Sequence, residues 1–415
     1  MGKSDIRAGI QWNLVSYAFL GLFTICSYCL IIWGYGKASL GAYNIVLSIF
    51  TVCGHIGVFG LQSAAIYFIP RQLNDKKKLG QIFTSFLVIV IFVSVLLASL
   101  ISLMAGFVGN VIFKSEYILV GLRIMAPSIV LFSVNKLIAG YINGMGKMRL
   151  LAIMQGIRYF FIVSYICLIA VMRLKFYFVF CAFLVSEIGV LIFGSFLILN
   201  VSHFAKPEKS SILSGIRFGS QAMLGNVLSD INTRVDVMML GVLCDDAVVG
   251  LYSFVTIIAE GMISVLLVFR INFNPHFADL LFQNKIKDLR SLLKDQRKKL
   301  SWFFAILGVF ILAGYTVFCL VLLEDSYIVS ILSVLIILIG CVVMAPYFVI
   351  GNVCTLYGKP IIDTGITLFT ILANGLLNYI LISRFRITGA ALATSMSYII
   401  FSILTSFAVR KIVRD

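Results

Sequence analysis

The chain reads as an all-helical integral membrane protein, with twelve transmembrane helices in two pseudo-symmetric six-helix lobes around a central cationic cavity. Three observations predict this. Mean hydropathy is +1.07 and only 12% of the 415 residues are charged against 61% hydrophobic, far from soluble globular composition. Apolar runs of about 20 residues, the length at which a helix crosses the hydrocarbon with its backbone amides paired internally, recur from end to end. Short sequence matches also return about half a chain apart.

The predicted spans run over 13–33, 40–69, 82–107, 118–141, 150–172 and 176–199, then over 216–243, 248–271, 302–323, 328–353, 361–382 and 389–409. Lys3 and Arg7 precede the first. That stretch is too long for a signal-peptide core and lacks a small-residue cleavage site, so it is expected to remain as span 1. The polar connection over 200–214 divides six spans from six, giving an N-lobe over 1–205 and a C-lobe over 206–415. A second polar connection, 274–301, carries Phe282, Ile286, Leu289 and Leu293 at helical spacing with Lys287, Arg290, Lys294 and Arg297 between them. This pattern suits a helix lying among lipid headgroups.

Net charge is +16, and its distribution marks one side of the membrane. Most of the Lys and Arg, including Arg71, Lys76, Lys77, Lys78 and the run from Lys285 to Lys299, fall in loops on the side of the amino terminus. The opposite loops hold only Lys37, Lys114, Arg173, Lys175, Arg384 and Arg386. By the positive-inside rule both termini are cytoplasmic, and nucleic acid is not expected as a partner. The nine cysteines are scattered through apolar segments, and the Cys26-x-x-Cys29 pair lies within span 1 with no second pair nearby. Core packing accounts for them better than a metal or redox site.

The halves echo one another. Gly41-Ala-Tyr43 and Gly250-Leu-Tyr252, Met125-Ala-Pro127 and Met344-Ala-Pro346, and Gly146-Lys147 and Gly358-Lys359 stand 209, 219 and 212 positions apart. Repeats of six spans share one orientation, so their symmetry axis runs along the membrane normal, with the expected cavity between the lobes.

Six cations fall inside spans: Arg123, Lys136, Arg158, Arg217, Arg234 and Arg270. Each costs roughly 3 kcal/mol at a bilayer centre unless it reaches water, a headgroup or a partner. A wet cavity would relieve that cost and would favour an anionic occupant. Guanidinium in particular presents a planar fork that matches phosphate oxygens. Arg234 is deepest, with Arg158 and Lys136 next; Arg123, Arg217 and Arg270 lie nearer span ends, within reach of headgroups.

Polar residues form stripes at helical spacing. Span 2 carries Asn44, Ser48, Thr51, His55 and Gln62; span 7 carries Asn226, Asp230, Thr233 and Arg234; span 11 carries Thr367, Thr370, Asn374 and Asn378. Lipid cannot satisfy these groups, so they either line a lumen or bond neighbouring helices. Four acids accompany them: Glu187, Asp230, Asp236 and Glu260. Asp230 precedes Arg234 by four residues and is placed to hold its guanidinium. Asp230, Asp236, Glu260 or Glu187 would otherwise serve H+ or Na+ coupling, and His55 is either a proton relay or a hydrogen-bonded structural residue.

The stretch Ile387-Thr-Gly-Ala-Ala-Leu-Ala-Thr-Ser-Met-Ser397 resembles the G-A-A-x-A-T-x-x-S signature of bacterial polysaccharide flippases. With the G-x-Y openings and Arg234-Val-Asp-Val-Met-Met-Leu-Gly241, the chain is similar to O-antigen flippases of the multidrug/oligosaccharidyl-lipid/polysaccharide exporter superfamily. The region before span 6, from Phe176 to Glu187, lacks the signature, so the lobes are not strict copies. The resemblance implies a V-shaped pair of lobes in the inner membrane. It also implies alternating-access transfer of an undecaprenyl-pyrophosphate-linked oligosaccharide to the periplasmic leaflet, alongside other O-antigen assembly proteins. Of the family's binding residues only Arg234 and Asp236 carry over. A cation-coupled multidrug antiporter of the same fold and an O-antigen polymerase are the alternatives. The first would call for buried acids in excess and the second for longer outer loops. No nucleotide-binding loop, metal-ligand cluster or Ser-His-Asp pattern is present, and no cofactor is expected.

Overall fold

The computed structural model describes residues 3–201, 205–283, 285–323, 325–351, 353–357 and 359–414, so Gly358 lies outside the described residues. The helices are α1 (Lys3–Gly57), α2 (Leu61–Phe68), α3 (Lys76–Phe107), α4 (Glu116–Gly144), α5 (Met148–Val171), α6 (Cys181–Val201), α7 (Lys209–Leu243), α8 (Asp246–Phe282), α9 (Ile286–Leu322), α10 (Ile328–Ile350), α11 (Val353–Leu356) and α12 (Pro360–Arg414).

Among the described residues nine helices are long and apolar enough to cross a membrane. Two of the nine, within α1 and α12, fold back at mid-length and therefore count twice. In α1 the break is Gly36, at φ 80 and ψ 175. The Tyr28 hydroxyl donates to Asn44 Oδ1 at 3.1 Å, whereas sixteen residues of straight helix would separate them by about 24 Å. Only a reversal centred on Gly36 brings them together, and glycine supplies the left-handed φ without strain. In α12 the break is Arg386, at φ 48 and ψ −122, and beyond it Gly389 lies against the backbone of Leu381 and Ile382. Helix α7 supplies the twelfth predicted pass. It is not among the nine because its polar stripe lowers its hydropathy.

Predicted span 2 is interrupted. Phe59 and Gly60 both adopt positive φ, 52 and 66, and separate α1 from α2. At this break α7 crosses closely: a Cβ on Gly60 would collide with Gly219 O and lie 2.6 Å from Met223 N. Likewise α2 crosses α4 where Gly140 meets the backbone of Gln62.

The predicted headgroup helix over 274–301 is not a separate element. Its residues prolong α8 to Phe282 and begin α9 at Ile286. Each helix is 37 residues long, or ~55 Å. Leu289 and Leu293 are buried, so this apolar face packs on protein; the side chain of Phe282 lies outside the described residues. The cause is cohesion along the helix, since no Gly or Pro falls between Ile286 and Trp302 to stop it.

The chain forms two compact units, Met1–Arg234 and Val235–Asp415. In the first, Leu61, Phe83, Phe86, Leu137, Ile138 and Tyr141 anchor an apolar core. The connection before α7 is tied to α3: Glu208 N donates to Ser85 Oγ at 2.9 Å, and Lys78 Nζ donates to Glu208 Oε2 at 2.6 Å. In the second unit α10 packs on α12, and a Cβ on Gly340 would lie 2.8 Å from Ser395 Cα. The small residues of the 387–397 stretch thus form a packing face: Ala390, Ala391, Ala393, Ser395 and Ser397 are all buried. Pro127 and Pro346 lie inside α4 and α10, the first near the middle of its helix and the second in the last turns of its own.

Candidate functional site: a charged cluster in the first unit

Five helices of the first unit bring polar groups into one place. Arg158 of α5 and Glu187 of α6 are 8% and 1% exposed. Arg158 Nε donates to Glu187 Oε1 at 2.6 Å and Nη2 to Oε2 at 3.0 Å, while Nη1 donates to Gln155 Oε1 at 2.9 Å. Asn135 of α4 completes the arrangement, with Nδ2 donating at 2.8 Å to both the backbone oxygen and Oε2 of Glu187. A bidentate, fully hydrogen-bonded pair is the form in which a salt bridge survives burial. Arg158, expected as an anion contact, and Glu187, expected as a possible coupling acid, are thus each other's partner in the structure.

Beside the pair, the Phe132 ring gathers two cations, with Lys136 Nζ and the Arg158 guanidinium each 5.3 Å from its centroid. His55 stacks edge-on to the same ring at 5.9 Å, and its Nδ1 meets Asp230 Oδ2. Asp230 therefore reaches across to α1, an interhelical partner the i,i+4 spacing to Arg234 did not suggest. Lys136 lies within electrostatic range of Arg158, Asp230 and Glu187. Among the described residues no carboxylate lies within ion-pair distance of Lys136, which is held against an aromatic face and remains half-buried.

The remaining predicted residues fall elsewhere. Asn44 and Ser48 are fully buried, Asn44 accepting from Tyr28 and Ser48 Oγ donating to Asn44 O. Both serve the hairpin. Asn226 Nδ2 donates to Ser63 Oγ at 3.3 Å, joining α7 to α2, and Gln62 is half-buried next to it in sequence. Arg234 is half-buried at the end of the first unit. Arg123 and Arg217 are exposed; each stands thirteen residues, about 20 Å of helix, from Lys136 and Asp230 respectively, which removes them from the cluster.

In the second unit, Tyr252 OH donates to Asp236 Oδ2 at 2.8 Å and the amide of Val237 donates to Oδ1 at 2.8 Å, so this buried carboxylate braces α7 against α8. Arg270 lies 5.3 Å from the Phe348 ring and Glu260 is half-buried on α8. Asn374 accepts from Asn378 at 3.0 Å, both buried in α12.

Sequence reading missed Phe132, Asn135 and Gln155. Their spacing to Lys136 and Arg158 was visible, but the partner that organises them, Glu187, is 29 positions from Arg158 on another helix.

Fold and cluster together define a multi-pass membrane protein that sequesters charged side chains between its helices. It belongs to the polysaccharide biosynthesis protein family, whose model matches residues 15–280. No curated protein matches the chain. Its fold is that of MOP-superfamily transporters. An inward-facing multidrug resistance MATE family transporter aligns with TM-score 0.79 at 13% identity, over 98% of each chain. A MOP superfamily transporter from Pyrococcus furiosus, described as having a binding pocket of reverse polarity, aligns at 0.66 and 13% identity over 99% of this chain and 95% of its own. A point mutant of the Vibrio cholerae MATE transporter VcmN aligns at 0.67 and 14% identity over 99% and 98%.

Proposed function

We propose that this chain is a flippase for a lipid-linked oligosaccharide, carrying an undecaprenyl-pyrophosphate-linked repeat unit from the cytoplasmic to the periplasmic leaflet of a bacterial inner membrane by alternating access. The observation that carries the reading is Lys136: a half-buried ammonium inside an apolar bundle, with no carboxylate within ion-pair distance among the described residues. A phosphate oxygen would complete its coordination. Membership of a polysaccharide biosynthesis family supports the glycan half of the reading. Arg234 is a second contact for the same headgroup. With a negative cell interior, outward movement of an anion is favoured by about 2.3 kcal/mol per charge per 100 mV, which reduces the need for ion coupling.

The second reading is a cation-coupled exporter of the same fold, favoured by the contact between His55 and Asp230. That pair is also where H+ or Na+ would act in a coupled flippase. Depletion of the protein separates the two. The flippase reading expects lipid-linked glycan to accumulate on the cytoplasmic leaflet with unchanged resistance to cationic dyes. Normal glycan export together with dye hypersensitivity would replace it with the exporter.

A further inference from the structure

Arg290, Lys294 and Arg297 follow one another at steps of four and three, and so share one face of α9 near its amino-terminal end. Arg410, near the end of α12, meets them around a cavity of about 370 Å³. Buried Leu293, Ile350 and Val409 also line this cavity. Among the described residues Ser406 is the only other lining group, so no carboxylate contributes. The nearby Asp295 pairs with Lys299 at 2.7 Å. Arg297 is fixed in place, since its Nη2 donates to the Tyr347 hydroxyl and its guanidinium lies 4.7 Å from that ring.

The geometry points to a binding site for the phosphate headgroup of an anionic membrane lipid, clasped by Arg290, Lys294, Arg297 and Arg410. Its depth supports a lipid source. Trp302 and Phe407, 64% and 66% exposed, lie five and three residues from Arg297 and Arg410, about 7.5 and 4.5 Å along their helices. Exposed Trp marks the membrane interface, whereas exposed Phe407 faces the apolar layer, so the cations beyond them on both helices stand at phosphate level. Cations that merely orient a chain act by their number near a span end; that role does not require two helices more than a hundred residues apart to converge on an acid-free cavity with an apolar lining. The volume is within the range that small-molecule sites occupy. The site lies wholly in the second unit and is independent of the flippase reading.

The test uses the full chain in zwitterionic detergent, with phosphatidylglycerol added and bound lipid counted by native mass spectrometry. The triple variant Arg290→Gln/Lys294→Gln/Arg410→Gln is compared with Lys287→Gln/Lys298→Gln/Lys411→Gln, which removes the same charge from exposed positions outside the cavity. The expected result is phosphatidylglycerol binding by the parent and the second triple, weakened at least about tenfold in the first. Equal loss in both triples, or no binding by the parent, overturns the site. Equal occupancy by inorganic phosphate, with no preference for the lipid, overturns the lipid source.

Discussion

Arg158 and Glu187 neutralise each other through two parallel hydrogen bonds, at 2.6 and 3.0 Å, inside the first unit. Removing one partner leaves a buried charge without a counter-ion. Arg158→Met or Glu187→Met should therefore destabilise the protein by about 3–5 kcal/mol, while the double variant recovers most of the loss. Thermal unfolding of the four proteins in detergent checks this; a double variant no better than either single would mean the pair is not coupled.

Unlike Arg158, Lys136 has no carboxylate within ion-pair distance among the described residues. Lys136→Gln should leave the melting temperature near that of the parent and lower surface glycan by about tenfold or more, the effect of losing one charge-assisted bond. Lys136→Arg should restore part of it. Parental glycan levels in the glutamine variant would exclude Lys136 from substrate handling.

Two glycines with positive φ give a contrasting pair. Gly36 has open space where a Cβ would stand, but its φ 80 and ψ 175 fall in a region essentially reserved for glycine, so Gly36→Ala carries that backbone cost alone, about 1–3 kcal/mol. Gly60, at φ 66 and ψ 4, lies in the left-handed region and faces the backbone of α7, so Gly60→Ala adds a collision with Gly219 to a backbone cost of about 1–2 kcal/mol. It should destabilise by a further ~1–3 kcal/mol. Melting curves showing equal penalties would contradict the close crossing.

The tie between Lys78 and Glu208 should respond to acid. Donation from Lys78, then from Ser210, holds the Glu208 carboxyl below its ordinary value of 4.5. Folding thus favours the ionised form, and the tie is complete above that value and lost as pH falls through the lower, folded-state value. Glu208→Gln should lower Tm slightly in the neutral region, where the tie is complete, and converge with the parent well below pH 4.5, so that the acid side of the Tm-against-pH profile is flatter.

Much of the helix pattern was readable because hydropathy and length are local properties. The pass at 361–382, the start of α10 and the end of α4 all follow from apolar runs and their polar neighbours. The breaks were less legible. Gly57 and Gly60 flank Phe59 and hint at a break, but the left-handed conformation of Phe59 itself accompanies the close crossing of α7 at Gly219, a tertiary effect. For the site, sequence spacing identified Lys136, Arg158, Glu187, His55 and Asp230 as individual charged or polar residues within spans. It could not pair them, because each partnership joins different helices, and the i,i+4 rule offered Asp230 a local partner while His55 waited 175 positions upstream. The shallower positions of Arg123 and Arg217 near span ends were legible in the sequence and agree with their exposure, whereas the burial of Arg158 depends on packing.

The single-residue reversals at Gly36 and Arg386 leave the first and last helical hairpins with almost no connecting loop. An epitope or cleavage site inserted at either point would have to prise apart paired helices before any antibody or protease could reach it. Mapping of sidedness by insertion is better directed to the connection before α7, where a longer polar stretch is available, than to these two corners.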